Sequence, residues 1–338
     1  ATWHSVPARK LDLPSFGPVK TVREHQLDQL RDIRENTDAE DERQPIDALA
    51  RLSVDWLEAN VPDYDGDPVL VQGDTGPGNL MYDGDRVSGI IDWELAHLGD
   101  PMDDIAWLSW RAIQHGFPGF PARMREYEKL TGTAIDQARV IYYRVNACAR
   151  LGPRFGLADM GEQTQRRSAA GATESDRAAD GSQFIMNVLH RRMRLEALGA
   201  ALRTDLPSRE IADEAELKDH AEIYDTVLNQ LQQMVPRIED RSASNLAKGV
   251  ARQIKYLKEI DRNGDQFDRR ELDDISRLLG REPGSLAEGR RLLAAAARDQ
   301  KVSGEDYFLY HWQRLVRDDH LMRLASGALY QRTWPALF

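Results

Sequence analysis

The sequence predicts a mainly α chain (α+β) with one small β-hairpin segment, followed by an all-α helical bundle. Apolar residues recur at helical spacing along most of the 338 residues. Short β-branched and apolar runs cluster at 69–91, where Asp83-Gly84-Asp85 supplies a hairpin turn. Near Arg203-Thr204-Asp205-Leu206-Pro207-Ser208, proline and capping residues interrupt the helical pattern, which divides the chain into residues 1–204 and 205–338.

In order along the chain, residues 23–36 read as a helix from Leu27, Leu30 and Ile33, and residues 46–60 from Leu49, Leu52, Val54 and Leu57. Val69-Leu70-Val71 reads as a buried strand feeding a loop with Gly73, Gly76, Pro77 and Gly78. Two short strands then flank the turn. With Gly84 at its centre, the numbers of paired residues sum to about 168. Asn79 should then face Gly89, and Asp92 should arrive level with Gly76. Helices follow at 103–114, 122–130, 135–151 and 183–202, with a polar stretch at 161–181 before the last. Beyond residue 205, Leu217, Tyr224, Leu228, Leu231 and Val235 trace one apolar stripe, and Leu246, Val250, Ile254 and Leu257 another. Further helices at 269–279, 285–298 and 304–326 complete a bundle of four or five.

Composition narrows the function classes. A formal charge of −11 and a pI near 5.3 argue against nucleic acid or an anionic membrane as partner. No apolar run reaches the roughly 18 residues of a spanning helix, and no signal-peptide pattern opens the chain. The single cysteine, Cys148, forms no internal disulfide, which fits a reducing cytoplasm. Among Tyr142, Val145 and Leu151 it reads as a buried core thiol.

The chemistry concentrates in Gln72-Gly73-Asp74-Thr75-Gly76-Pro77-Gly78-Asn79, then Ile91-Asp92-Trp93 and Gly99-Asp100-Pro101. The loop and the hairpin end gather two carboxylates, Asp74 and Asp92, and the amide of Asn79. Mg²⁺ takes oxygen ligands and keeps several waters, so one carboxylate and one amide suffice as a protein contribution. A second carboxylate is placed to orient a hydroxyl, and together these are the parts a kinase needs. Taken singly, each residue is equally a turn cap; the joint spacing is what singles them out.

Residues 69–107 resemble the catalytic segment of the aminoglycoside phosphotransferase and choline kinase-like superfamily. They look most like its broad phosphotransferase branch, related to kinase-like domains fused to acyl-CoA dehydrogenases. The family pattern is His-Gly-Asp, four residues, Asn, then Ile-Asp-Trp-Glu and Gly-Asp-Pro with an Asp three residues on. Gly73, Asp74, Asn79, Asp92, Trp93, Glu94, Gly99, Asp100, Pro101 and Asp104 match it, and Gln72 stands where the family has His. The resemblance implies a protein-kinase-like C-terminal lobe over residues 1–204. It implies Asp74 as catalytic base, Asn79 and Asp92 as ligands of Mg²⁺ and thereby of ATP or GTP, and Gln72, Gly73 and Asp104 as structural support. The implied reaction is γ-phosphoryl transfer to a small-molecule hydroxyl. A pseudokinase-type interaction module without turnover is the alternative, and a hydrolase using the same acids a weaker one. Aminoglycoside, choline, sugar, amino acid and hydroxyacyl-CoA acceptors are all compatible, as is a homodimer.

The family also carries a β-rich N-terminal lobe that grips the nucleotide. Only 73 residues precede Asp74, they read as helical, and Lys10 and Lys20 lie in proline-punctuated segments rather than on strands. The chain is therefore expected to begin in mid-domain. Truncation of a longer kinase is the favoured explanation, ahead of a lobe supplied in trans or a degenerate family member. In the family, the region of 161–181 forms the substrate side of the cleft; a surface loop is the other reading. Arg150, Arg154, Arg166 and Arg167 read as a solvated face or as attractors of an anionic substrate. The 205–338 bundle resembles a helical domain fused behind this branch.

Two features lie outside the motif. Residues 261–271 imitate an EF-hand loop, with Asp261, Asn263, Asp265 and Glu271 as ligands. Gln266 replaces the required glycine, however, and the acid falls one position early; an interhelical loop with an Asp cap is expected. The aromatic tail, 330–338, is expected to dock either on a neighbouring lobe or subunit or on its own bundle.

Overall fold

The structure is a computed structural model that describes residues 3–38, 48–151 and 183–338. The polar stretch at 161–181, with Arg154, Arg166 and Arg167, lies outside the described residues. The fold is mainly helical with two small antiparallel sheets. The chain divides into two compact units. Ala1–Pro153, Glu196–Thr204 and Arg332–Phe338 form the first; Arg154–Leu195 and Asp205–Gln331 form the second.

In the first unit, α1 (Val22–Asp38) opens with a reciprocal cap. The Thr21 hydroxyl accepts the N–H of Glu24, and the Glu24 carboxylate accepts the N–H of Thr21. Leu30 and Ile33 of α1 and Leu49, Val54 and Leu57 of α2 (Ala48–Ala59) are buried, as their spacing requires. Strand β1 (Val69–Val71) pairs with β4 (His97–Gly99), Val69 opposite Gly99 and Val71 opposite His97.

Strands β2 (Leu80–Asp83) and β3 (Arg86–Ile90) form the hairpin, but not in the expected register. Asp83 faces Arg86 and Leu80 faces Ile90, with a bulge between Met81 and Tyr82. A bulge sets two residues of one strand against one of the other and shifts every pair beyond it. The turn, centred between Gly84 and Asp85, moves the register by one and the bulge by one more, so Met81, not Asn79, faces Gly89. Asn79 accepts the N–H of Ile91 at 3.0 Å, one residue from Asp92.

Helix α3 (Pro101–His115) is buried continuously from Pro101 to Trp107, which makes it the central element of the unit. The Asp100 carboxylate accepts the N–H of Met102 at 2.9 Å, Pro101 occupies the first turn, and Gly116 closes the helix at φ 67°. Helix α4 (Phe120–Thr131) follows, and α5 (Gln137–Arg150), capped by Asp136, packs along α3. Cys148 is buried on α5. Arg150 pairs with Asp103 at 2.8 Å. The tail docks in this unit: Trp334 meets Trp110 edge-on at 6.0 Å, and Arg332 donates to the carbonyls of Ile113 and Gln114.

The second unit contains the start of α6 (Gln183–Leu202), α7 (Ala221–Met234), α8 (Arg241–Leu279), α9 (Leu286–Arg298) and α10 (Gly304–Ser326). Helix α8 runs unbroken for 39 residues through the EF-hand-like stretch, where an interhelical loop was expected. No proline interrupts it, Gly264 is tolerated, and Phe267 and Ile275 continue its buried face. Buried charges of the unit form pairs: Arg192 with Asp319 at 3.0 Å, and Glu271 of α8 with Arg290 at 2.7 Å and Tyr310 at 2.8 Å.

Candidate active site

Helix α3 builds the loop of residues 72–79 from below. Asp104, in its first turn and 2% exposed, accepts the backbone N–H of Gln72 at 3.1 Å on Oδ2 and that of Gly73 at 2.9 Å on Oδ1. His4 Nε2 lies 2.9 Å from the same Oδ2, and its Nδ1 meets the Tyr127 hydroxyl at 2.8 Å. Burial alone would raise the Asp104 carboxyl, but His4 and the Gly73 N–H hold it down at about 2. The neighbouring Asp100 behaves oppositely. Burial pushes it up to about 6 against the pull of Arg139, whose Nη1 lies 2.9 Å away.

Gly73 adopts φ 83°, and a Cβ there would stand 2.3 Å from the Leu95 carbonyl oxygen. That bend presents Asp74. Pro77-Gly78-Asn79 forms one 3₁₀ turn that folds back, so Asn79 Nδ2 donates to the Asp74 backbone oxygen and to Oδ2, both at 2.9 Å. The amide oxygen of Asn79 is thereby directed away from Asp74.

Gln72, 1% exposed, fastens the loop to the hairpin end. Its Nε2 donates to the carbonyls of Ile91 (3.2 Å) and Asp92 (2.7 Å), and its Oε1 accepts the N–H of Asp74 at 2.9 Å. Asp92 has φ 66°, left-handed backbone that Asp and Asn tolerate better than most residues. Its side chain is exposed. The Glu94 carboxyl is raised, first by its hydrogen bond with Asp92 and then by repulsion from it. Asp74 and Asn79 thus meet directly, and Asp92 joins them through its backbone. No side-chain bond from Asp92 to either occurs among the described residues.

Arg111 and Glu94, to which the sequence assigned no role, stand beside Asp74 and Asp92 respectively. Arg111 Nε donates to Asp74 Oδ1 at 3.0 Å, and Nη2 contacts both carboxylate oxygens. The side chains are 28% and 13% exposed, respectively. One signal for it was present in the sequence: Arg111 lies seven residues after Asp104, two helical turns along the same face of α3. Gly76 makes room, since a Cβ there would lie 2.5 Å from Arg111 Cγ.

The donor set suits a magnesium ion. An amide oxygen and adjacent carboxylates are hard ligands, and Mg²⁺ uses one or two protein carboxylates alongside substrate phosphates.

Residues 1–140 match the family model described as Phosphotransferase enzyme family. Over 68 residues, 20% of this chain, the sequence is 41% identical to acyl-CoA dehydrogenase family member 11 of Rattus norvegicus and 38% identical to that of Homo sapiens. Over 114 residues, 32% of this chain, it is 34% identical to a probable acyl-CoA dehydrogenase of Arabidopsis thaliana. These matches span 9% of the length of the first two relatives and 14% of the third. Residues 1–140 are accordingly a phosphotransferase-family domain, homologous to a short segment of the acyl-CoA dehydrogenase family member 11 proteins.

Proposed function

We propose that the phosphotransferase-family domain moves the γ-phosphoryl group of ATP (or GTP) to the hydroxyl of a small molecule. The observation that carries this reading is the direct bond between Asn79 Nδ2 and Asp74 Oδ2, with Gln72 tying Asp92 to the same loop. In the reaction, the acceptor oxygen bonds to the γ-phosphorus as the bond to the β-bridging oxygen breaks. ADP leaves with that electron pair, and Asp74 orients the hydroxyl and takes its proton. Asn79 and Asp92, with Glu94 beside them, would hold magnesium, which supplies charge neutralisation at the phosphates. Gln72, Gly73 and Asp104 keep the loop in shape.

Met81, Ile91, Trp93 and Leu95, around Asp92, are exposed apolar residues of the kind that mark a binding surface. A nucleotide-gripping lobe, from a longer chain or a separate one, is the partner we assign to that surface. The 205–338 bundle is read as an accessory domain, and the compartment as cytoplasmic.

Asp74→Asn in the full chain should cut turnover by orders of magnitude with little loss of nucleotide affinity; unchanged turnover would refute the assignment. A second reading, an interaction module without turnover, is favoured by one observation: Arg111 occupies both oxygens of the proposed base. Titration calorimetry with Mg-ATP, with the nucleotide-gripping lobe present, separates the two. Binding that disappears in Asp92→Ala supports the enzyme, and absence of binding supports the module.

A further inference from the structure

Asp74 has no hydrogen-bonding capacity to spare. Oδ1 accepts from Arg111 Nε and Nη2, and Oδ2 accepts from Arg111 Nη2 and Asn79 Nδ2. A carboxylate offers about four lone-pair positions, and protein donors fill them. Any hydroxyl that Asp74 is to orient must replace one of those donors. Asn79 is neutral and bonded to both the side chain and the backbone oxygen of Asp74, whereas Arg111 carries a full charge that an incoming anion can take over, so Arg111 is the group an anion displaces.

Arg111 is built into this position. Gly76 leaves the space its Cβ and Cγ occupy, and Gln114 Oε1 accepts its Nη1 at 3.0 Å. Its partial exposure gives an incoming molecule access to the guanidinium. A carboxylate or phosphate can receive the same two-pronged edge that Asp74 now receives. The exchange trades one charge-assisted pair for another and frees Asp74 for the hydroxyl. A neutral alcohol offers the displaced guanidinium nothing comparable, and an ammonium-bearing alcohol sets like charge beside it.

We propose that Arg111 is a specificity-determining residue, admitting acceptor alcohols that carry an oxyanion near the hydroxyl and disfavouring cationic ones. This deepens the phosphotransferase reading and rests on it.

The test compares four short acceptors in the full chain with Mg-ATP: ethylene glycol, ethanolamine, glycolate and glycerol phosphate. Transfer of labelled γ-phosphoryl should favour the two anions over ethylene glycol by about tenfold or more in kcat/KM, mostly through KM, with ethanolamine last. Whether glycolate or glycerol phosphate leads distinguishes a carboxylate from a phosphate recognition group. Arg111→Ala should level the ranking, and Arg111→Lys should retain part of it. If Arg111→Ala does not fold, the wild-type ranking and the lysine variant still decide. Transfer that ignores acceptor charge, or a ranking that survives loss of Arg111, overturns the inference and leaves the kinase reading standing. Transfer to none of the four overturns the inference, and Mg-ATP binding by calorimetry then decides the kinase reading separately.

Discussion

Gln72 Nε2 lies 2.7 Å from the carbonyl oxygen of Asp92, while Gln72 Oε1 accepts the N–H of Asp74 at 2.9 Å. One buried side chain thus couples two segments twenty residues apart, and it can do so because an amide donates and accepts at once. A glutamine in the place of the family's histidine still spans that gap.

Gln72→Ala should therefore cost about 1–3 kcal/mol, since it strands a backbone acceptor and a donor in a buried place. Gln72→Glu should be at least as damaging, because a carboxylate would face the carbonyls of Ile91 and Asp92. Urea unfolding of both variants checks this. A midpoint equal to wild type for Gln72→Glu would show that the clamp carries no stability.

Gly73 and Gly76 should respond to alanine differently. At Gly73 the backbone is left-handed and the obstacle is a main-chain carbonyl, so Gly73→Ala should cost about 1–3 kcal/mol or more and disorder the loop. Gly76 has extended backbone, φ −171°, and its obstacle is the Arg111 side chain. Gly76→Ala should instead dislodge Arg111 from Asp74, with the smaller stability loss. Equal effects in thermal unfolding would remove the distinction.

Much of the first unit was legible because its signals are local. Asp100-Pro101 starts α3, Gly116 ends it, and Leu49, Val54 and Leu57 share one helical face. The contact between Arg111 and Asp74 was only half legible: spacing from Asp104 puts Arg111 on the right face of α3, but its meeting with Asp74, 37 residues away, depends on tertiary packing. The hairpin register slipped because the turn centres between Gly84 and Asp85 and a bulge at Met81/Tyr82 adds one more step; neither leaves a clear mark in composition. Residues 261–271 resembled a loop because acids and a glycine also suit turns. Propensity yielded there to the apolar face continued by Phe267 and Ile275.

That helical course gives a prediction for calcium. Asp261 pairs with Lys218 at 3.1 Å, Asn263 accepts the Ala215 N–H at 3.1 Å, and Glu271 binds Arg290 and Tyr310. Three of the four would-be ligands are thus engaged by separate partners, and the fourth, Asp265, is exposed near Lys218. Millimolar calcium should leave the unfolding midpoint of the full chain unmoved; a clear upward shift would contradict the helix.

Stability should respond to pH through Asp104 and Asp100 in opposite senses. Asp104 titrates near 2 in the fold, below its ordinary 3.8, so the unfolded chain takes up its proton first. Its contribution, about 2 kcal/mol, is present above that ordinary value and is lost as pH falls toward 2. Asp100 titrates near 6, so the fold holds its proton longer, and its contribution declines as pH rises from 3.8 to 6. Asp104→Asn should flatten the acid arm of a stability–pH curve, and Asp100→Asn should flatten the arm between these values. Parallel curves for all three proteins would refute the assignment.

Removing the tail after Gln331 should weaken the first unit, the one to which Arg332–Phe338 belong. Arg332 satisfies two carbonyls at the end of α3, which has no later turn to receive them. Trp334 packs on Trp110, and the Arg144 guanidinium lies 4.6 Å from the Trp334 ring centroid while donating to the Pro335 oxygen at 3.1 Å. Burial lowers Arg144 to about 10, with the Glu196 carboxylate pulling it back up. Losing the indole burial and the three hydrogen bonds together should cost about 3–5 kcal/mol. Hydrogen exchange gives the sharpest readout, with faster exchange in the last turn of α3 and in α5 around Arg144. Trp334→Ala should reproduce part of the effect and Phe338→Ala little of it, since Phe338 is 57% exposed. Unaltered exchange in α3 after truncation would show that the tail only rests on the surface.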